Sequence, residues 1–225
     1  MKVAIIPARG GSKRIPNKNI RLFAGKPILT YSIETAAKSG LFDLIIVSTD
    51  SPDIAAVARD HGAGVHNRSA ELSDDHTGTM QVIRDVLLNI EADMACCIYA
   101  TAPLLTPRDL EVGYRTLITR DYEQFAFSVC EYQMPIERAL RLSPTTGSVS
   151  AISPEHAGTR TQDLPKSYRD AAQFYWCRRR ALLDGLPLYS DLSVGIPLPA
   201  DRVCDIDTED DWRLAERLYF AQAAR

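Results

Sequence analysis

The sequence predicts an α/β fold with a mostly parallel central sheet and helices on both of its faces. Apolar runs at 2–7, 43–49 and 93–99 are nearly continuous rather than alternating, which is typical of strands buried on both faces of a parallel sheet. Helical patterns separate these runs, and this alternation is typical of an open, doubly wound sheet. The chain has 225 residues, 45% of them hydrophobic, which suffices for a single domain covering 1–225.

The elements follow from periodicity and from helix-start signals. A helix from 107 to 119 is predicted because Thr106 can cap it and Pro107 suits its first turn. The other predicted helices are 27–39, 52–61, 76–91, a short one ending at 183, and 208–222. The later predicted strands are 125–131, 171–177 and 192–198.

The segment 132–168 interrupts this rhythm. It carries four prolines, scattered polar residues and only short hydrophobic pieces, and it is too long for a plain loop in a compact domain. We therefore interpret it as an insertion into the single domain.

Composition excludes several classes of protein. A formal net charge of −3 gives no general attraction to nucleic acid or to an anionic membrane. No apolar run approaches the roughly 18 residues of a membrane span, and the chain begins without the apolar stretch of a signal peptide, so we expect a cytoplasmic protein. The five cysteines show no CxxC spacing, which favours buried free thiols over zinc ligation or disulfides.

The loop that follows the first predicted strand predicts a phosphate-binding site. Gly10 and Gly11 permit close approach to the backbone, and Ser12 adds a hydroxyl. The loop also carries the cations Arg9, Lys13, Arg14 and Lys18. It matches neither the Walker pattern nor the dinucleotide-binding fingerprint, and a solvated basic loop is the alternative. Its place at the carboxyl end of a strand favours ligand binding.

Two carboxylates near the end of the chain, Asp205 and Asp207, predict a cation site. Residues two apart in extended chain face the same way, so both could reach one Mg²⁺ ion. Helix capping is the alternative, since Asp207 or Thr208 could begin the last helix and Thr208 with Asp211 fits a capping box. The two roles are compatible.

Other polar groups allow a structural and a functional interpretation. After the second strand, Asp50 or Ser51 can cap the next helix, and Asp75 is a capping candidate for the helix at 76–91. Arg160 and Arg169 could grip a carboxylate bidentately, although arginine-rich loops are common. No histidine lies in metal-ligand spacing or beside an evident nucleophile.

Taken together, these motifs resemble the cytidylyltransferases that activate nine-carbon 2-keto sugar acids, the CMP-sialate synthetase family. The resemblance covers essentially the whole chain. It is carried by the loop PARGGSKRIPNKN, the strand end VSTD, the segment from Arg68 to Asp75, the turn TAP, the stretch RTQDLP and the DIDT near the end. It implies a Rossmann-like nucleotide-diphospho-sugar transferase fold and a homodimer in which 132–168 embraces the partner subunit.

The resemblance also implies roles for matching residues. Arg9 and Lys18 would hold the triphosphate of CTP, with Gly10, Gly11, Ser12 and Lys13 supporting the loop. The cytidine would lie near Asn19, Arg68 and Thr79, and the sugar acid would face Arg160 and Arg169. Asp205 and Asp207 would bind Mg²⁺.

Two departures from the sialate-specific pattern lie on the expected sugar side. Tyr99 and Ala100 replace the start of a QPTSP turn, and Arg169–Ala172 replaces Arg-Pro-Asn-Gly. The stretches Cys97–Pro103, Met134–Ala139 and Thr161–Pro165 resemble the branch of the family that acts on pseudaminic acid. The expected reaction is transfer of CMP from CTP to such an acid; legionaminic or sialic acid, or a non-catalytic nucleotide-binding role, are the alternatives.

Overall fold

The computed structural model describes residues 1–223, so positions 224–225 of the predicted domain lie outside the described residues. The strands are β1 (Lys2–Pro7), β2 (Leu22–Phe23), β3 (Lys26–Pro27), β4 (Leu44–Thr49), β5 (Gly64–Asn67), β6 (Met94–Ile98), β7 (Phe125–Glu131), β8 (Leu140–Leu142), β9 (Val149–Ala151), β10 (Tyr168–Arg178) and β11 (Ser193–Pro197). The helices are α1 (Ile28–Ser39), α2 (Pro52–Asp60), α3 (Thr79–Asn89), α4 (Pro107–Ile118), α5 (Arg179–Leu183) and α6 (Glu209–Ala223).

Over these residues, seven strands form one sheet in the order β11–β7–β10–β6–β1–β4–β5. Neighbouring strands are parallel except where β10 lies antiparallel to both β6 and β7. The carboxyl ends of β1, β4, β6 and β7 therefore meet the amino end of β10 at one edge of the sheet. The prediction of a mostly parallel sheet is confirmed.

Both faces of the sheet are covered. Cys96 packs in the cluster beneath α1, α2 and α4, whereas its neighbour Cys97 packs in the cluster beneath α3 and α5. Alternating strand residues point to opposite faces, so the continuous apolar run of β6 feeds both clusters. All five cysteines are buried free thiols, as predicted.

A third apolar cluster fixes the last helix against the segment that follows the opening loop. Phe23 lies 5.6 Å from Trp212 and 5.6 Å from Tyr219, measured between ring centroids. Tyr31 from α1 completes this edge-to-face group, 5.4 Å from Tyr219. Because α6 follows directly after Asp207, this packing brings the acidic turn to the opening loop.

Several predicted helix starts are confirmed. Ser51 Oγ accepts a hydrogen bond from the Ile54 amide at the start of α2. Thr106 caps α4 reciprocally with Asp109, and Thr208 forms the same arrangement with Asp211 before α6.

The start of α3 and the function of Asp75 were predicted wrongly. The helix begins at Thr79 rather than at 76, with Gly78 as its N-cap. Asp74 explains the delay, because its Oδ1 accepts bonds from the amides of His76 and Thr77 and closes a turn before the helix. Asp75 caps nothing there; its carboxylate pairs with Arg9 and Lys13 instead.

Strand β5 was not predicted. It has four residues at the edge of the sheet, and its side chains are half-buried or exposed, so it lacks the apolar run that identified the inner strands.

Within 132–168 the chain leaves the main sheet and forms the hairpin β8–β9, which pairs antiparallel. Its side chains Leu140, Leu142 and Val149 are exposed. The main sheet resumes with β10 at Tyr168, slightly before the predicted strand at 171.

Candidate active site

A cleft of about 280 Å³ opens at the carboxyl ends of β1, β5 and β6. This main cleft is lined by many of the residues that the sequence singled out: Arg9, Ser12, Lys13, Lys18, Asn19, Arg68, Thr79, Tyr99 and Asp207. Among residues 1–223, the lining does not include Gly10, Gly11, Asp205, Arg160 or Arg169.

The opening loop is tied to the end of the neighbouring strand β4. The Gly10 amide donates to Asp50 Oδ1 at 2.8 Å. A Cβ atom at position 10 would lie 3.0 Å from the Cβ of Ser51, so the close approach requires a residue without a side chain. Gly10 thus positions the loop from behind rather than facing the cleft.

At one side of the cleft, Asp75 binds two of the loop cations. Arg9 Nη1 lies 2.7 Å from Asp75 Oδ1 and also donates to the Asp74 carbonyl at 2.7 Å. Lys13 pairs with the other carboxylate oxygen of Asp75. A hydrogen bond from Lys13, and a smaller contribution from the hydrogen bond of Arg9, lower the pKa of Asp75, so this carboxyl group stays ionised. Two cations of the loop therefore converge on one carboxylate at this side of the cleft.

At the other side, the acidic turn meets the loop. Lys18 Nζ donates to the Ile206 carbonyl at 2.6 Å and lies 3.5 Å from Asp207 Oδ1. Arg14 Nη2 lies 3.1 Å from Asp207 Oδ2. Two segments that are almost 190 residues apart in sequence thus meet at the edge of one cleft.

The pair Asp205 and Asp207 has the chemistry of a divalent-cation site. Asp205 keeps an exposed surface, but partial loss of hydration raises its pKa, and the charge of Asp207 raises it further, while Lys18 and Arg169 act in the opposite direction. A bound cation would relieve this repulsion. No cluster of three or more His, Cys, Asp or Glu side chains suited to a metal occurs in the described part of the chain. The two carboxylates fit Mg²⁺ that also takes phosphate oxygens as ligands.

Arg68 is a buried cation in the wall of the cleft. It is 8% exposed, and its Nη2 donates to the Ser48 carbonyl at 2.7 Å. Loss of hydration lowers its pKa, although a guanidinium remains charged at neutral pH. From the sequence, Arg68 could have been a simple surface charge, because it lies in a polar segment. In the structure, its side chain is buried in the wall of the cleft.

Asn19, Thr79 and Tyr99 lie between these charged groups. Asn19 Nδ2 donates to the Arg9 carbonyl at 2.9 Å, which fixes the loop. The hydroxyl groups of Thr79 and Tyr99 are 3.2 Å apart, and burial raises the pKa of Tyr99. Polar groups here can meet a base or a sugar without adding charge.

The two arginines predicted to meet a second substrate stand apart from the main cleft. Arg160 is exposed and pairs with Asp163 at 2.7 Å. Arg169 donates weakly to the Asp170 carbonyl at 3.4 Å and is close enough to influence the pKa of Asp205. The structure brings Arg169 toward the acidic pair but does not bring Arg160 there.

Asp170 was missed by the sequence analysis. It accepts bonds from the hydroxyl groups of Tyr175, at 2.9 Å, and Tyr189, at 2.7 Å. A second cavity of about 410 Å³ beside it is lined by Phe127, Tyr168 and Tyr189 among others. The tyrosine at 175 lies in a continuous apolar run, and nothing local in the sequence pairs it with Asp170.

The described residues contain no helix that is both long and apolar enough to span a membrane.

The fold has solved counterparts. The structure of CMP:2-keto-3-deoxy-manno-octonic acid synthetase complexed with CTP superimposes with a TM-score of 0.73 at 19% identity, covering 99% of each chain. The architecture of this protein is thus that of a known nucleotidyltransferase, which confirms the predicted fold.

Sequence comparison reaches further than the fold. A family model described as cytidylyltransferase matches residues 3–185. The chain is 40% identical to pseudaminic acid cytidylyltransferase of Campylobacter jejuni over 223 residues, covering 96% of this chain and 95% of that protein. It is 31% identical to N-acylneuraminate cytidylyltransferase A of Danio rerio over 215 residues, covering 95% of this chain and 50% of that protein. A match of this extent shows that the chain belongs to the cytidylyltransferase family.

Proposed function

We propose that the protein transfers CMP from CTP to the 2-hydroxyl group of pseudaminic acid, giving CMP-pseudaminate and pyrophosphate. The observation that carries this proposal is the main cleft, where the cations of one loop meet Asp207 of the acidic turn. The choice of acid is supported by the 40% identity to the Campylobacter jejuni enzyme of that name. The product would serve as an activated sugar for glycosylation.

The reaction forms one bond and breaks one. The anomeric oxygen of the sugar acid attacks the α-phosphorus of CTP, and the bond from that phosphorus to the β-phosphate oxygen breaks. Such a transfer depends on positioning and charge neutralisation more than on a protein nucleophile. Arg9 and Lys18 would neutralise the departing pyrophosphate, with Ser12, Lys13 and the Gly10–Gly11 backbone supporting the triphosphate.

Asp205 and Asp207 would hold Mg²⁺ together with the phosphate oxygens. When bound, the ion supplies positive charge that stabilises the developing charge on the phosphates. The acidic pair would also accept the proton that leaves the sugar hydroxyl group.

The remaining cleft residues would divide the substrates between them. Asn19, Arg68 and Thr79 would surround the cytidine, because they line the wall of the cleft beside the loop. Tyr99 would separate the nucleotide from the sugar, and Arg169 would face the sugar carboxylate near Asp205. Arg160 would reach the acid only if its segment moved or if it served the partner subunit.

We also propose a cytoplasmic homodimer. The inserted segment 132–168 carries the exposed apolar side chains that a subunit interface would cover, and the cytoplasm supplies CTP.

Pyrophosphate release from CTP and Mg²⁺ across a panel of nonulosonic acids tests the proposal. We expect release with pseudaminic acid, little with sialic acid, and little when UTP replaces CTP. Release only with legionaminic or sialic acid would overturn the choice of acid. No release with any acid, together with measurable CTP binding, would instead indicate a nucleotide-binding protein that is not an enzyme.

A further inference from the structure

Four polar side chains from β4, β5, α3 and the segment after β5 form a line that ends at the main cleft. Asp85 Oδ2 lies 3.4 Å from Nε2 of His66, and Nδ1 of His66 lies 3.2 Å from the Ser48 hydroxyl group. Arg68 Nε then donates to the same Ser48 oxygen at 3.3 Å. The line therefore runs from Asp85 on the helix face to the guanidinium of Arg68.

One arrangement of protons satisfies this line. The Asp85 carboxylate only accepts, which favours the neutral His66 tautomer that carries its proton on Nε2. His66 Nδ1 then accepts the Ser48 proton, and Ser48 Oγ is free to accept from Arg68. If His66 carried its proton on Nδ1 instead, both His66 and Arg68 would donate to the Ser48 oxygen. The Ser48 hydroxyl proton would then have to turn away from both side chains. His66 thus decides which way the Ser48 hydroxyl group points.

Arg68 depends on Ser48 for its position. Within the described part of the chain, both of its side-chain hydrogen bonds go to this residue, Nε to the hydroxyl group and Nη2 to the carbonyl, and Ser48 itself is fully buried. Among residues 1–223, Nη1 of Arg68 makes no hydrogen bond, and Arg68 lines the cleft. The guanidinium is thus held along one side by Ser48 and lines the cleft.

We propose that His66 is a positioning residue for nucleotide binding, which acts through Ser48 to hold the Arg68 guanidinium in the cleft. This inference rests on the proposed function, in which Arg68 contacts CTP. His66 itself stays away from the substrate, so its loss should weaken CTP binding and leave the sugar acid and the chemical step nearly untouched.

Two near-isosteric variants separate the two contacts of His66. His66→Asn keeps an amide group near the position of Nδ1, so it can still bond Ser48; His66→Gln reaches the position of Nε2 and Asp85 but not Ser48. Each is compared with His66→Ala, and His61→Ala, at an exposed histidine after α2, serves as the matched control. Pyrophosphate-release kinetics give KM and kcat, and calorimetry gives the CTP dissociation constant.

We expect His66→Ala and His66→Gln to raise the KM for CTP about tenfold with kcat within about twofold, the effect of one misplaced hydrogen bond. His66→Asn should recover most of the affinity, and His61→Ala should match the wild type. In an Arg68→Ala background, His66→Ala should add little, because His66 acts through Arg68.

An unchanged CTP affinity in His66→Ala would overturn the inference, as would full additivity with Arg68→Ala or equal losses for His66→Asn and His66→Gln at matched thermal stability. Wild-type protein that binds CTP without turnover would overturn the proposed function, and the calorimetric comparison would still decide the role of His66.

Discussion

Arg9 is the cation whose surroundings most resemble a phosphate site. Its guanidinium already binds the Asp75 carboxylate and the Asp74 carbonyl, two anionic or dipolar oxygens that a triphosphate would replace. Arg9→Ala should lower kcat/KM for CTP by about 10²–10³-fold, because a preorganised donor to the departing phosphate is lost. Steady-state pyrophosphate release measures this.

The matched control is Arg180→Ala, at an exposed arginine on α5 whose side chain is 92% exposed. It should keep wild-type activity, and both variants should melt within a few degrees of the wild type. Near-normal turnover of folded Arg9→Ala protein would remove the assigned role.

The role of a single residue was predictable where the residues that act together lie close to one another in the sequence. The cations of the opening loop lie within ten positions of one another after a strand, so the sequence alone predicted a cationic loop at a ligand site, and the structure places this loop in the cleft. Asp75 was assigned wrongly because its partner Lys13 is 62 positions away and only the strand order brings the two together. Asp170 escaped notice although its partners Tyr175 and Tyr189 lie nearby in sequence, because no local pattern pairs a tyrosine of an apolar run with a carboxylate.

The ion pair between Asp109 and Arg202 joins α4 to the loop that leads into the acidic turn. Both guanidinium nitrogens of Arg202 bond the carboxylate, at 2.6 and 2.9 Å, and the Asp109 side chain is 10% exposed. Asp109→Asn should cost about 3–5 kcal/mol of unfolding free energy in urea, because Arg202 is left without its counter-charge and the α4 cap is weakened. The control is Asp210→Asn, which breaks the exposed ion pair between Asp210 and Arg213 on α6. It should change the free energy of unfolding by less than about 0.5 kcal/mol.

The same pair predicts a pH dependence. Burial alone would raise the pKa of Asp109, but bonds from Arg202 and Thr106 outweigh it and lower the pKa. Its stabilising contribution is therefore fully present above the unfolded pKa of about 3.9 and is lost as pH falls through the lower folded value. The difference in unfolding free energy between the wild type and Asp109→Asn should become smaller below about pH 4 in urea titrations. A difference that does not change with pH would contradict the stabilising role of the ion pair.

Helix α4 packs against β10 through a glycine. A Cβ atom at Gly113 would lie 2.6 Å from Phe174 Cε2 and 2.9 Å from Trp176 Cδ1, both in rings that are fully buried. Gly113→Ala should therefore destabilise the protein by about 1–3 kcal/mol despite the better helix propensity of alanine. Gly158→Ala, in open space, should be nearly neutral by the same urea measurement. If Gly113→Ala and Gly158→Ala were equally stable, the prediction would be wrong, because Phe174 and Trp176 would then move aside without a cost in free energy.

Helices and strands with a clear hydrophobic pattern or a helix-capping residue were predictable from the sequence. Elements without such a local signal were not. Buried β6 and the capped helix α4 follow from local pattern. Strand β5 exists because β4 offers it an edge, and the delayed start of α3 depends on the turn around Asp74; neither is visible as periodicity. Tertiary context decided both.

At the scale of the whole molecule, the proposed homodimer rests on the apolar surface of the inserted segment 132–168. Leu140, Leu142 and Val149 are 63%, 64% and 63% exposed on the β8–β9 hairpin. Sedimentation should show a dimer of about twice 24.9 kDa. The double variant Leu140→Lys with Leu142→Lys should dissociate it and lower activity.

Leu88→Lys, on the exposed side of α3 at 63% exposure, is the matched control and should remain dimeric. A fully active wild-type monomer would remove the homodimer proposal.

In the proposed mechanism, one chain binds CTP between its opening loop and its acidic turn and moves the α-phosphate, as part of CMP, to a sugar acid. Radiolabel placed on the α-phosphate of CTP follows that atom directly. With pseudaminic acid and Mg²⁺, the label should appear in the CMP-sugar in equal amount to the pyrophosphate released. Label that stays in CTP, or that appears only in free CMP, would contradict the account.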